Sequence, residues 1–284
     1  MIQLKEVCYT RLGTRDLSLT RDFSIKILGL QAVGKTKNEQ YFRSDERNHT
    51  LYYFEGDPAD QVVGFEIGDS HSLDEAGRDL EASGYSVHRG KRAECESRHV
   101  HDFIRFNEPN GTAIEVVERP EIVGSRYYGA RDAGITGFSH IGLFTRDPIR
   151  DEIFWTQVCN ARVSDRVGDL PLLRISAMHH SLALVPSERS GIQHINHQVA
   201  STDDVLRSFG LLEKHRVPII FGPGRHPTSS ARFLYFEGPD GMVFEYSVGI
   251  SEVDEDRHRE RQFGFEPASL CMWGAKAVNG EMKA

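Results

Sequence analysis

Two strings in this chain occur twice, and the spacing between the copies constrains every fold it can adopt. Tyr9-Thr-Arg-Leu-Gly-Thr-Arg-Asp16 recurs in looser form as His140-Ile-Gly-Leu-Phe-Thr-Arg-Asp147, 131 residues further on. Glu108-Pro-Asn-Gly-Thr-Ala-Ile-Glu115 recurs as Gly238-Pro-Asp-Gly-Met-Val-Phe-Glu245, 130 residues further on. Two separate echoes at nearly one offset indicate a duplicated half, and a repeat on that scale outranks local propensity as a guide to fold. A chain of 284 residues holds two such halves, each large enough for its own core.

Each half divides again. The string Gln193-His-Ile-Asn-His-Gln-Val199, followed by helical spacing over 203–215, repeats the pattern Ser139-His-Ile-Gly-Leu-Phe144 with its amphipathic stretch at 148–158. In the first half the corresponding helices fall at 17–28 and 72–83, the second of them preceded by a strand at 61–67. Four units therefore begin near Val7, Val62, Phe138 and Ile192, each a strand, a helix and about three strands. The expected architecture is α+β, four βαβββ modules in two domains at 1–120 and 135–250, with a linker at about 119–135 and a tail at 251–284. Such paired units resemble the vicinal oxygen chelate superfamily, and the resemblance implies a cupped sheet around a metal.

Composition narrows the function. The apolar share of 39% and the charged share of 27% are globular values. A net charge of −8 argues against a nucleic-acid partner held through phosphates. No apolar run approaches membrane-spanning length, and the chain opens without a basic segment followed by an apolar one, so we expect no membrane partner and no processing. Cys8, Cys95, Cys159 and Cys271 are far apart and form no CxxC pair, which suits a reduced, cytoplasmic protein and gives no thiolate metal site.

The stretch 231–247, ARFLYFEGPDGMVFEYS, reads as two strands folded across a Gly-Pro-Asp-Gly turn. With Phe236 facing Met242, Tyr235 faces Val243 and Phe233 faces Glu245, and alternation sends the Tyr235 phenol and the Glu245 carboxylate to one face. A carboxylate among such apolar neighbours needs a cation or strong donors. Laying the halves over each other pairs His140 with Tyr9, Glu245 with Glu115 and His194 with Val62. Only the second half carries metal-binding side chains at all three places. Two imidazoles and one carboxylate are the ligand set of a non-haem Fe(II) facial triad, which leaves coordination positions open. His194 is preferred over His197 because it echoes His140-Ile, and strand alternation separates the two. Glu115, lacking histidine companions, reads as a relic of the duplication. His99 and His101, spaced to share a strand face, have no third ligand, and the run at 252–261 reads as a solvated charged segment.

The motifs SHIGLFTRD, HHSLAL, IQHINHQVASTDDV, GRHPTSSARFLYF, GPDGMVFEY and SLCMWGAK resemble those of the two-domain type I extradiol ring-cleaving dioxygenases. The resemblance implies metal ligands His140, His194 and Glu245 for Fe(II), with Mn(II) as the alternative ion. It also implies His180 as a pocket histidine and proton donor beside the dioxygen site, with His226 and Tyr235 on the substrate oxygens. Its adjacent neighbour His179 points the other way by alternation. The partners implied are a catechol, 3-substituted by preference, and O2, in a homo-oligomer whose apolar tail at 263–273 covers the mouth of the site. Two readings of other classes stand beside this one: a glyoxalase-like metal-dependent isomerase or lyase, and a metal-free small-molecule-binding module.

Overall fold

The structure, a computed structural model, describes residues 1–68 and 72–278. In the first half, β1 (Leu4–Thr14), α1 (Leu17–Lys26), β2 (Gln31–Lys35), β3 (Glu39–Arg43) and β4 (Leu51–Glu55) form one module. The next comprises β5 (Gln61–Ile67), α2 (Leu73–Ala82), β6 (His88–Arg89), the inserted α3 (Arg92–Arg98), β7 (Val100–Asn107) and β8 (Ala113–Pro120). The second half repeats the order with β9 (Ile135–Thr145), α4 (Pro148–Ile153), β10 (Arg162–Val167), β11 (Leu170–Arg174) and β12 (Leu182–Pro186). A fourth module follows in β13 (Ile192–Val199), α5 (Thr202–Lys214), β14 (Ile219–Arg225), β15 (Arg232–Glu237) and β16 (Val243–Val248). The tail adds β17 (Arg261–Phe263) and α6 (Pro267–Leu270). The α+β fold of four βαβββ modules is present in full.

Helix starts follow their capping residues. Asp16 and Asp147 accept from the first-turn N–H groups of α1 and α4, and Ser72 forms a capping box with Glu75 on α2. The helix expected at 148–158 is regular only to Ile153, after which Phe154–Val158 continues as a π-helical turn.

Each half is one sheet. The first has the order β2-β3-β4-β1-β5-β8-β7-β6 and the second β14-β15-β16-β13-β9-β12-β11-β10-β17. In each module the first strand pairs parallel with the last, and the two first strands of a half, β1 with β5 and β9 with β13, pair antiparallel at the centre. One apolar core joins the two sheets, from Ile2 and Phe65 through Trp155 to Phe244. Tyr246 donates across the halves to the Leu28 carbonyl at 2.9 Å. None of the described helices is long and apolar enough to cross a membrane.

The hairpin at 231–247 keeps the expected face but not the expected register. Tyr235 stands directly opposite Glu245, and Phe236 opposite Phe244. Met242 is part of the connection, because the Gly238 N–H bonds its carbonyl at 2.8 Å and Asp240 and Gly241 adopt positive φ. The shift is two residues, so Tyr235 and Glu245 still project together.

Glu115 is no idle relic. It is fully buried, with Arg98 gripping it through Nη2 at 2.7 Å and Nε at 2.9 Å and the Tyr9 hydroxyl donating at 2.6 Å. His99 is not on a strand: it caps α3 in the left-handed conformation and bonds Glu121, while His101 is exposed near Glu118. The charged tail is likewise not free in solvent. Glu255 binds Arg174 in bidentate fashion, Glu260 meets Arg166, and Arg261 binds Asp165. Removing one partner of a buried pair leaves the other uncompensated, so Arg98→Ala should lower unfolding stability by about 3–5 kcal/mol. Arg98→Ala combined with Glu115→Gln should recover most of that loss, both read from denaturant unfolding.

Candidate metal centre and its cavity

Sheet order builds the site. Read across β14, β15, β16, β13, β9 and β12, neighbouring strands or their ends carry His226, Tyr235, Glu245, His194, His140 and His180 in turn. His226 follows β14 directly and His180 precedes β12. On β9, Ile141 and Leu143 enter the core, which leaves His140 and Gly142 for the opposite, concave face. The registers of the two halves also agree with the alignment of their sequences, since Asn196 opposes Glu245 as Gly64 opposes Glu115.

His140, His194 and Glu245 come together with one ligand atom of each within 4.8 Å of the others. His140 Nε2 lies 3.0 Å and His194 Nε2 3.5 Å from Glu245 Oε2. These approaches lack hydrogen-bond geometry, and all three atoms are buried with no hydrogen-bond partner. Three orphaned polar atoms pointing at one another in the interior are costly unless something positive sits between them. Atoms about 2.1 Å from one ion and at right angles around it stand about 3 Å apart, so the donor set fits a divalent cation.

The electrostatics suit that role. Burial lowers His140 and His194 to about 3, so both imidazoles are neutral and offer lone pairs. Burial also raises Glu245, against the opposing pull of His194, His226, Asn196 and Tyr235. A cation at the centre would reverse that rise. Neighbouring groups settle which nitrogen faces inward. His194 Nδ1 donates to the Gln193 side-chain oxygen, and His140 Nδ1 is 3.5 Å from Ser139 Oγ, whose own hydroxyl is directed at Met178 Sδ.

Gln193 escaped the sequence reading because simple alternation puts it opposite His194. A bulge in β13 between Ile192 and His194 instead turns both toward the cavity. Gly142 carries a readable signal, since it stands opposite His194 and a Cβ there would approach His194 Nδ1 to 2.3 Å. His197 is turned away against the Phe138 ring at 5.9 Å, and both its nitrogens are buried without partners.

The cavity beside the centre is lined by His180, His194, His226 and Tyr235 and walled by Val167, Leu170, Leu172, Ala183, Val185 and Phe221. The tail closes it with Phe265, Ser269 and Leu270. His226 Nδ1 donates to the Leu270 carbonyl at 2.8 Å, and its Nε2 lies 3.4 Å from the Tyr235 hydroxyl. Burial, reinforced by Glu245, keeps Tyr235 protonated by raising it well above the phenol range. The His180 and His140 rings stand 4.4 Å apart, and burial, with the surrounding histidines, holds His180 well below its ordinary value.

A family model described as the Glyoxalase/Bleomycin resistance protein/Dioxygenase superfamily matches this chain twice, at 7–116 and 137–246. The chain belongs to that superfamily. Among similar proteins, an iron-dependent extradiol dioxygenase from Rhodococcus jostii (strain RHA1) is 25% identical, over 96% of this chain and 97% of that one. A biphenyl-2,3-diol 1,2-dioxygenase from Paraburkholderia xenovorans (strain LB400) is 27% identical, over 100% and 99%. Among solved structures of the superfamily fold, the Mn(II)-bound glyoxalase from Novosphingobium aromaticivorans superposes with a TM-score of 0.89 at 25% identity, over 100% and 95%.

His194→Ala and Glu245→Ala should abolish stoichiometric binding of a divalent metal while leaving the circular dichroism spectrum intact, whereas His197→Ala should keep the metal. Gly142→Ala should weaken metal affinity about tenfold or more by displacing the His194 ring. Elemental analysis of the dialysed proteins and titration with Fe(II) under nitrogen read both effects.

Proposed function

We propose that this protein is an Fe(II)-dependent extradiol dioxygenase that inserts both atoms of O2 into a catechol, opening the ring beside the diol. The convergence of His140, His194 and Glu245 on one buried point, at the wall of a cavity ringed by Tyr235, His226 and His180, carries this reading. The names of the Rhodococcus and Paraburkholderia relatives support it. Iron is preferred over manganese on the name of the first relative; the superposing Mn(II)-bound protein shows that the fold also takes manganese.

His140, His194 and Glu245 would hold the Fe(II), which would supply open coordination positions and redox chemistry. Two positive charges against one carboxylate leave one, which a singly ionised catechol neutralises. The residues around the cavity divide the remaining work. Tyr235, kept protonated, donates to the ionised catechol oxygen. His226, with its Nδ1 proton committed to the Leu270 carbonyl, offers Nε2 as an acceptor to the other oxygen while that remains a hydroxyl. His180, neutral in the resting site, exchanges a proton with the reacting group from the β12 side.

The cavity wall also bears on the substrate. Among the described residues it presents no Lys or Arg, and its non-histidine surface is largely aliphatic and aromatic. A carboxylate buried there would lack a cation, so a catechol with an apolar substituent next to the diol is the better fit. A glyoxalase-type isomerisation, suggested by the name of the Mn(II)-bound neighbour, is the second reading.

Loading with Fe(II) under nitrogen, followed by 3-alkyl- or 3-arylcatechol and air, should consume one O2 per catechol and form a yellow ring-opened product. An isomerase consumes none, and silence across a catechol panel would remove the proposal. His180→Ala should lower kcat about 100-fold or more with KM changed only a few-fold. A carboxylated catechol should show kcat/KM at least about tenfold below the apolar one.

A further inference from the structure

Behind His180, on the side away from the cavity, runs a buried chain of hydrogen bonds that the proposed chemistry has not used. His180 Nδ1 lies 3.1 Å from His179 Nδ1, and His179 Nε2 lies 2.8 Å from Asp165 Oδ2. Asp165, on β10, is fully buried; the backbone N–H and Nε of Arg261 of the tail each donate to its Oδ1 at 3.0 Å, and Arg261 Nη2 donates at 2.5 Å to Oδ2, the oxygen that His179 also meets. His179 is anchored by its own N–H to the Ser251 carbonyl at 2.9 Å. Both imidazoles are buried.

With His179 neutral, the order of donors and acceptors along this chain follows from one end. Arg261 has only donors to offer, and an ionised carboxylate only acceptors. Burial alone would raise Asp165, but the bonds from His179 and Arg261 outweigh it and hold the group ionised, below its ordinary value. His179 must then donate from Nε2. In its neutral form its Nδ1 is an acceptor, and the nitrogen facing it, His180 Nδ1, must carry the proton. The remaining nitrogen of His180, Nε2, is left with its lone pair for the cavity.

We propose that Asp165 and His179, clamped by Arg261 of the tail, are positioning residues that fix His180 in the tautomer presenting Nε2 to the cavity as a hydrogen-bond acceptor. The inference rests on the dioxygenase reading only for its kinetic consequence. His180 must then take a proton from the incoming catechol before it can return one to the opening ring. The tail sets the second pocket histidine the same way, through the Leu270 carbonyl on His226 Nδ1. Docking of residues 261–270 therefore leaves both cavity histidines poised to accept.

Asp165→Asn reverses the chain. With the Arg261 backbone N–H and Nε both demanding the amide oxygen at the Oδ1 place, the amide nitrogen takes the Oδ2 place, where it displaces Arg261 Nη2 onto the Thr228 carbonyl alone and faces His179 Nε2, which becomes an acceptor. The proton then moves to His179 Nδ1, and His180 must accept at Nδ1 and carry its proton on Nε2. Long-range 1H–15N correlation spectra of the full chain, histidine-labelled and loaded with diamagnetic Zn(II), read this directly. The wild type should show His180 protonated at Nδ1 and the variant at Nε2, with Zn(II) content unchanged. In the Fe(II)-loaded enzyme the variant should lose about 100-fold in kcat with KM for the catechol within about threefold.

A wild-type spectrum with His180 protonated at Nε2 overturns the proposal without need of any variant. An unchanged tautomer in a folded Asp165→Asn protein also overturns it, as does a kcat loss matched by loss of metal. If the spectra behave as expected while no catechol is cleaved, the functional reading fails and the positioning role stands. Catechol cleavage with the opposite wild-type tautomer has the reverse meaning.

Discussion

One carboxylate buried with two uncharged imidazoles is the constraint around which the second half is built. Glu245 lies beneath the sheet's concave face, and burial opposes its ionised form as it opposes the charged forms of His140 and His194. For the histidines this is no penalty, since neutral rings are what a cation binds. For the carboxylate it is a standing cost that only a positive centre removes. The fold concentrates the problem at one point by placing the three groups on adjacent strands, β9, β13 and β16, so the preorganisation comes from sheet hydrogen bonds rather than from mobile loops.

The repeat made most of this legible. An offset of 130 to 131 residues implies the module, the module implies which strands lie at the centre, and period-two alternation then separates His194 from His197. What alternation cannot see is a bulge. Gln193 shares the cavity with His194 because the β13 ladder slips between Ile192 and His194, and nothing in Gly191-Ile-Gln-His announces that slip. The hairpin register failed for a related reason: Pro239 and the positive-φ pair Asp240-Gly241 lengthen the connection to include Met242. His99 was misread as a strand residue because α3 is an insertion with no counterpart in the other modules.

The tail shows a different limit. A run such as Glu252 to Arg261 has the composition of a solvated segment, and only the fold reveals that its charges meet Arg174, Arg166 and Asp165 on β10 and β11. Single surface pairs contribute little, but these flank a strand, β17, that pairs with β10 and lays Phe265 against Gly168. The segment thereby joins the second sheet as a ninth strand and supplies the cavity with both an apolar cover and a carbonyl acceptor for His226. A charge pattern alone does not distinguish this arrangement from disorder, because its partners lie some 80 to 100 residues away along the chain.

The first half faces the same buried carboxylate and resolves it differently. Glu115 occupies the position of Glu245, on the last strand of its module and opposite the first strand of the same module. With Tyr9 and Val62 where His140 and His194 stand, no ligand set surrounds it among the described residues. The positive charge comes from the chain itself, as the Arg98 guanidinium delivered by α3, with Arg11 3.7 Å away. The Arg98 guanidinium gives two donors to Glu115 and another to the Glu94 carbonyl, and being donor-only it has no coordination position for a ligand oxygen, whereas an ion held by three groups keeps positions open. The inserted helix α3 and the absent histidines are therefore physically linked: without imidazoles to help hold an ion, this acid is buried beside a cation that the chain itself supplies.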